Sequence, residues 1–253
     1  MHAVSLLSVA PVKGLGLAHP EQVTLRPTGV AGDRRFYLID EHGRLFGGRR
    51  LGGLVRITAV FDDAADRLAL TFPDGTRVEE RVRAGDGVTT DFYGGRAVAG
   101  CVVEGPWSRS LSAYAGATVR LVRTEQPGDG WDVHPVTLLG DAAVDALAAH
   151  AGLDGGLDRR RFRMLVHFRG GRPHDEDAWA GQAVRLGSAV VRVAGPVPRC
   201  VVTTQDPATG RKDVDALRLI RRYRGGASVD FGVYADVEEP GVVRVGDPVT
   251  PVA

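Results

Sequence analysis

Cysteine is nearly absent from this chain: Cys101 and Cys200 are the only two in 253 residues. So few, set so far apart, exclude a disulfide framework and a closed zinc site, and each thiol has to be judged alone. Lysine is equally scarce, with Lys13 and Lys212 the only two among 32 basic residues, so arginine carries almost all of the positive charge. Excess charge of one sign is missing as well. Against 31 acidic residues the formal net charge is +1, which leaves no bulk electrostatic footprint for nucleic acid. No stretch approaches the roughly 18 apolar residues of a membrane-spanning helix, and Met1–Ala10 has no basic leader ahead of an apolar run. The expectation is a soluble, cytoplasmic protein with neither nucleic acid nor membrane as a partner.

What is present suits a mostly β protein. Hydrophobic residues make up 43% of the chain, and this length buries a substantial core without disulfide support. Alternating or β-rich runs recur at Ala3–Val9, Gln22–Leu25, Phe36–Ile39, Val55–Phe61, Arg67–Thr71, Val98–Val103, Val119–Arg123, Arg163–Phe168, Ala189–Val193 and Val242–Val245, broken by Gly, Asp and Pro turns. Short strands at this spacing point to barrels or sandwiches. Glu41–Leu45 and Phe72–Arg77, each between apolar runs, read as hairpin turns. Two segments depart from the β pattern. Asp141–His150 puts Val144, Leu147 and Ala148 on one face and ends before Gly152, while Asp213–Arg224 opens on Asp and closes on Arg; both read as short helices. Gln126-Pro-Gly-Asp-Gly130 reads as a linker that divides the chain into residues 1–125 and 126–253.

Cys200 sits in the densest run of chemically informative residues, Gly195-Pro-Val-Pro-Arg-Cys-Val-Val-Thr-Thr-Gln-Asp-Pro-Ala-Thr-Gly210. Two prolines stiffen the approach, Arg199 adjoins it, and Thr203 and Thr204 supply hydroxyls, a setting that suits a stabilised and rigidly held thiolate. The same residues also suit a small apolar side chain packed ahead of Val201-Val202, and spacing does not separate the two readings. Cys101, in Val98-Ala-Gly-Cys-Val-Val103 with no basic neighbour in sequence, reads as core. The basic runs Arg159–Arg163 and Arg221–Arg224 read as solvated faces, and Glu176-Asp177 ahead of Trp179 as a turn. No Gly-rich phosphate loop, Ser-His-Asp set or HExxH motif competes.

Taken in order, these segments resemble the MOSC family, which comprises the C-terminal domain of molybdenum-cofactor sulfurases and the core of the mitochondrial amidoxime-reducing components. The likeness runs through Arg161-Phe-Arg163, Glu176-Asp-Ala-Trp179, Val184-Arg-Leu-Gly187, Arg199-Cys-Val-Val-Thr-Thr204, Asp206-Pro-Ala-Thr-Gly210, Phe231-Gly-Val-Tyr234 and Pro240–Val249. In the first half, Ala10-Pro-Val-Lys13, Gly32-Asp-Arg-Arg-Phe36 and Phe46-Gly-Gly-Arg49 resemble the β-barrel domain that often precedes MOSC.

The resemblance implies a mainly β fold with a few short helices (α+β): an N-terminal β-barrel-like domain over residues 1–125 and a MOSC β-barrel over residues 126–253, with a molybdenum cofactor, Mo-molybdopterin, between them. Cys200 is then the implied catalytic residue and protein ligand of the metal. Lys13, Arg34 and Arg163 resemble the family's anion and pterin contacts, Pro198 and Arg199 present backbone beside Cys200, and His134 and Tyr234 complete the implied cofactor site. His134, ahead of Pro135, equally reads as a loop histidine. Arginine grips phosphate through two parallel hydrogen bonds and lysine acts as a point charge, so both types together suit an anionic ligand.

The implied activity is oxidoreduction of an N-oxygenated small-molecule substrate, with electrons from an external reductase, since the sequence holds no Cys-rich ferredoxin-like segment. The alternative is a sulfur carrier or sulfurtransferase without the metal cofactor, in which Cys200 bears a persulfide supplied by a cysteine desulfurase. Two departures bear on the choice. Lys13-Gly14 stands for the family's Lys-Ser, and Arg163-Met164-Leu165 for its Arg-Pro-Asn, which removes two polar groups from the implied pterin contacts. Gly47-Gly48 replace bulkier polar residues at the implied substrate face, which widens the entrance or loosens it.

Overall fold

Along Ala183–Leu186 and Ala189–Pro198 the side chains of Val184, Leu186, Ala189, Val191 and Val193 are buried while Arg185 and Arg192 are exposed, the period of two that a sheet covered on one face demands. In the computed structural model, which describes residues 1–93 and 95–252, that face curls into a closed barrel. Its strands run in the order His2–Leu7, Val166–Arg169, Val136–Gly140, Asp230–Glu239, Ala189–Pro198, Ala183–Leu186 and Pro248–Val252, the last pairing back onto the first. Val4, Leu7, Leu138, Val166, Phe168, Leu186, Val191 and Val233 belong to its buried core. Ala253, the last residue of the expected second domain, lies outside the described residues.

Three α-helices accompany the strands among the described residues: α1 (Trp107–Ala115), α2 (Asp141–His150) and α3 (Ala216–Arg224). Val136–Gly140 and Val166–Arg169 pair in parallel, so the chain between them must cross over. Helix α2 lies on that crossover, burying Val144, Leu147 and Ala148, the face expected of it.

Residues 36–124 supply two antiparallel sheets. One is ordered Leu45–Phe46, Phe36–Asp40, Val119–Thr124, Arg96–Glu104, Arg83–Phe92, and the other Thr58–Asp62, Arg67–Thr71, Arg77–Arg81. Phe36, Leu38, Leu54, Leu70, Leu121 and Trp107 of α1 form their common core. Both expected hairpin turns are present. Asp40 accepts the amides of His42 and Arg44 at 3.0 and 2.9 Å, and Asp74 accepts that of Thr76 at 2.9 Å. Two pairings tie the halves of the chain together: His2–Leu7 completes a barrel otherwise built from residues 136–252, and Gln22–Arg26 pairs with Gly241–Arg244.

Local chemistry shifts several expected boundaries. The strand expected from Arg163 begins at Val166, because Arg159–Phe162 forms a 3-10 turn capped by Asp158 and ended by Arg163 at φ 52°. A second 3-10 turn, Gly52–Arg56, delays the strand expected at Val55 to Thr58. Helix α3 starts after its cap Asp215 rather than at Asp213, whose carboxylate is held by Arg161 instead. Cys101 is half-buried rather than core, on the strand Arg96–Glu104 opposite Arg123. No helix of the described residues is long and apolar enough to cross a membrane.

Candidate functional site

A cavity of about 310 Å³ is lined from both halves of the chain. Lys13, Gly14, Arg34, Gly47, Gly48, Arg49 and Tyr93 come from the first half; Trp131, Asp132, His134, Arg163, Arg199, Cys200 and Tyr234 come from the second. The structure thus gathers seven of the eight expected site residues around one space. The eighth, Pro198, is exposed at the end of its strand opposite Asp230 and does not line the cavity.

The cations are held by backbone as much as by acids. Lys13 follows the bridge of Val12 to Phe36, donates its amide to Phe36 O at 2.8 Å, and reaches with Nζ to Gly130 O at 2.9 Å and to the Asp132 carboxylate. Burial pulls the Lys13 ammonium below its ordinary pKa, with Asp132 opposing. Arg34 sits at φ 50° and pairs with Asp33, whose other oxygen accepts the Ala10 amide at 2.7 Å. Burial works against its charge, but Asp33 and Asp132 outweigh that and hold it above the usual value.

Arg163 and Arg199 differ: among the described residues neither pairs with an acid at contact distance. Arg163 donates to Leu15 O at 2.7 Å, and burial, reinforced by Arg34, brings it down to about 10. Arg199 donates to Phe162 O and to Met164 Sδ at 3.2 Å, leaves its buried Nε with no partner among the described residues, and is also lowered by burial. Two guanidiniums without carboxylate partners and one unsatisfied buried N–H form a donor set suited to an anionic ligand.

Cys200 is extended, at φ −121° and ψ 175°, immediately before the 3-10 turn Val201–Thr204, and its carbonyl accepts Thr203 N at 3.1 Å and Thr203 Oγ1 at 2.9 Å. Buried Arg161 fixes this turn, donating to Thr203 O at 3.1 Å and to both oxygens of Asp213. Gln205 Nε2 then donates to Gly48 O at 2.8 Å, which ties the turn to the glycine rim.

His134 Nδ1 donates to Asp236 Oδ1 at 2.9 Å, and its ring lies 5.3 Å from that of Tyr234. Burial, then Asp132, raises the Tyr234 phenol, so it is protonated and able to donate at neutral pH. Leu165 packs in the barrel core and offers no polar group. Gly14 adopts φ 88°, a backbone state that side-chain-bearing residues enter at a cost, which gives the departure at Lys13-Gly14 a conformational reason.

Asp132 and Tyr93 escape sequence reasoning altogether. Arg49 and Arg161 stand in segments that carry the resemblance without an assigned site role, and Arg161 is buried rather than on the solvated face expected of Arg159–Arg163. Tyr93 sits at φ 60°, with Lys13 Nζ 5.6 Å and the Arg49 guanidinium 5.1 Å from its ring centre. Burial, then the Asp132 charge, raises its phenol. The cluster Gly130-Trp-Asp132 beside the expected linker was the available signal.

Among the described residues no three His, Cys, Asp or Glu side chains gather into a chelating cluster. One cysteine beside four cations instead suits an anionic organic group that brings its own metal and takes a single protein ligand. Residues 125–250 match the sequence model of the MOSC domain, and residues 1–97 that of the MOSC N-terminal beta barrel domain. The chain belongs to the MOSC family.

Its curated relatives include mitochondrial amidoxime-reducing component 1 of Xenopus laevis, 32% identical over 130 residues, which cover 47% of this chain and 36% of that protein. The human mitochondrial amidoxime reducing component 2 is 31% identical over 128 residues, 47% of this chain and 37% of that one. Similarity to a molybdenum cofactor sulfurase of Caenorhabditis briggsae is lower, 23%, but extends over 235 residues, 88% of this chain and 32% of the sulfurase. The chain therefore spans about a third of the length of the curated relatives it matches. Among solved structures, the YuaD protein of Bacillus subtilis aligns over 98% of this chain and 94% of its own, with a TM-score of 0.46 and 12% identity.

Proposed function

We propose that this chain binds a molybdenum-bearing pterin in the cavity and reduces N-oxygenated small molecules, with Cys200 as the protein ligand of the metal. Family membership supports a molybdenum-cofactor-related function. The observation that carries the finer reading is the meeting of Cys200 with Lys13, Arg34, Arg163 and Arg199 around one cavity. Lys13, Arg34 and Arg163 hold the phosphate and pterin in this reading. The unsatisfied Arg199 Nε is a donor waiting beside Cys200.

When bound, such a cofactor supplies two-electron oxygen-atom transfer. The chain's own part is to bind, to orient and to hold protons. The turn tied by Arg161 fixes the direction of Cys200, and the protonated Tyr234 hydroxyl is a donor on the same wall. At the glycine rim Gly47 is open, with no atom within 4 Å of a Cβ built there, whereas one at Gly48 would touch Val202 and Gln205 at 3.5 Å. Electrons come from an external reductase, and the expected cytoplasmic setting belongs to the same proposal.

The second reading is a sulfur carrier with a persulfide on Cys200 and a cysteine desulfurase as partner. It is favoured by the long similarity to a cofactor sulfurase and by the two missing polar groups at Gly14 and Leu165. Turnover separates the two. Protein produced in a cofactor-competent host, given a chemical reductant and an N-hydroxylated amidine, turns over under the first reading and loses turnover as Cys200→Ser. Absence of turnover, with one sulfur added to Cys200 by a desulfurase, establishes the second instead.

A further inference from the structure

The two acids among the cavity's cations are held in different ways. Asp33 is fixed: its side chain is 7% exposed, one oxygen accepts the Ala10 amide and the other pairs with Arg34. Its charge stays with Arg34, behind the lining of the cavity. Asp132 is 53% exposed while its partner Lys13 is 10% exposed, so the carboxylate lies on the open side of the ion pair and the ammonium on the closed side. The backbone beneath Asp132 is anchored, since Arg96 donates to Trp131 O and Trp131 packs over Gly128. Asp132 can therefore leave Lys13 by side-chain rotation alone, with the loop unmoved.

Lys13 keeps a second acceptor, Gly130 O at 2.9 Å, so it stays aimed at the cavity when Asp132 turns away. Asp132 also acts electrostatically on Arg34, Arg163 and Arg199. One carboxylate thus occupies the place where a dianion would meet the same cations.

Resting on the anion-site reading above, we infer that Asp132 is a displaceable internal counter-ion: it competes with the phosphate of the incoming ligand for Lys13 and thereby sets how tightly the cavity takes up a dianion. Without it, four neighbouring cations would face only one fixed acid, already paired with Arg34, in the free chain. With it, an exchange of one anion for another replaces the filling of a bare cationic site. The carboxylate keeps Lys13 aligned, and it excludes singly charged anions too weak to displace it.

The test uses the full cofactor-free chain and inorganic sulfate, a dianion that does not titrate, followed by calorimetry at low ionic strength. Asp132→Asn removes the competing charge from within contact distance of the bound anion, and sulfate should bind at least about tenfold more tightly than to the wild type. Asp132→Glu, which restores the charge, should return to wild-type affinity, and Lys13→Ala should weaken binding in either background. Should Asp132→Asn not fold, Asp132→Ser makes the same comparison. Equal or weaker sulfate binding by a folded, charge-removed variant overturns the inference and makes Asp132 a positioning residue for Lys13. Sulfate binding absent from every variant, or untouched by Lys13→Ala, instead overturns the anion-site reading itself, and the counter-ion with it.

Discussion

Arg161 holds Asp213 through two nitrogens, at 3.1 and 3.0 Å, and with the first of them also reaches Thr203 O at 3.1 Å. One buried guanidinium thus joins the loop leading into α3 to the 3-10 turn that follows Cys200. Replacing it by Met leaves the Thr203 carbonyl and part of the Asp213 carboxylate without partners. Because Asp213 keeps access to water, the expected cost is about 1.5–3 kcal/mol, read from the midpoint of urea unfolding. A change within error means that the turn is held by other contacts and that Arg161 does not orient Cys200.

A second prediction follows from Glu176, fully buried beside Gly140, with Gly140 N donating to Oε1 at 3.2 Å and Oε2 without a partner among the described residues. Burial pushes its carboxyl up to about 7 from an ordinary 4.5. Below pH 4.5 folded and unfolded chains both carry the proton. Between 4.5 and 7 only the folded chain keeps it, so stability falls as pH rises through that window, by up to about 3 kcal/mol, and levels off above it. Glu176→Gln should remove this slope. An equal slope in the variant assigns it to another group.

The same contrast between local and distant causes explains what the sequence made legible. Cys200, Lys13, Arg34, Arg163 and Arg199 were legible as members of ordered motifs that resemble the MOSC family, not from residue type alone. Asp132 does not: it lies just beyond a Pro-Gly-Asp-Gly stretch that reads as a linker, and only the fold brings Gly130 O and Asp132 onto Lys13. Gly130 is glycine because a Cβ there would lie 1.8 Å from Arg34 O, a long-range fact with no local pattern. Helix α1 was hidden for another reason. Its serines disfavour a helix locally, yet Ser108 and Ser112 Oγ accept the amides of Leu121 and Val119 at 3.1 and 2.9 Å. The strand His2–Leu7 was legible as a strand, but not its place in a barrel built 130 residues later.

Both cysteines are half-buried, but only Cys200 lines the cavity. Brief alkylation followed by peptide mass mapping should therefore label both in the cofactor-free chain. Loading the cofactor should slow labelling of Cys200 at least tenfold, on the order of the 1.4 kcal/mol that a closed contact readily supplies, and leave Cys101 unchanged. Protection of Cys101 alone, or of neither, contradicts the placement of the ligand.

The central claim is that this cavity holds a molybdenum-bearing pterin through a phosphate clamp at one place and a thiolate at another. It is tested most directly by molybdenum and pterin content, measured together on wild type, Cys200→Ser and Lys13→Ala from a host in which a control molybdoenzyme is fully loaded. The account predicts close to one of each per wild-type chain and pterin retained in Cys200→Ser. It predicts pterin largely lost from Lys13→Ala, since a charge-assisted phosphate contact contributes on the order of 1.5–3 kcal/mol. Wild-type protein free of both metal and pterin, or a Lys13→Ala chain as fully loaded as the wild type, would contradict it.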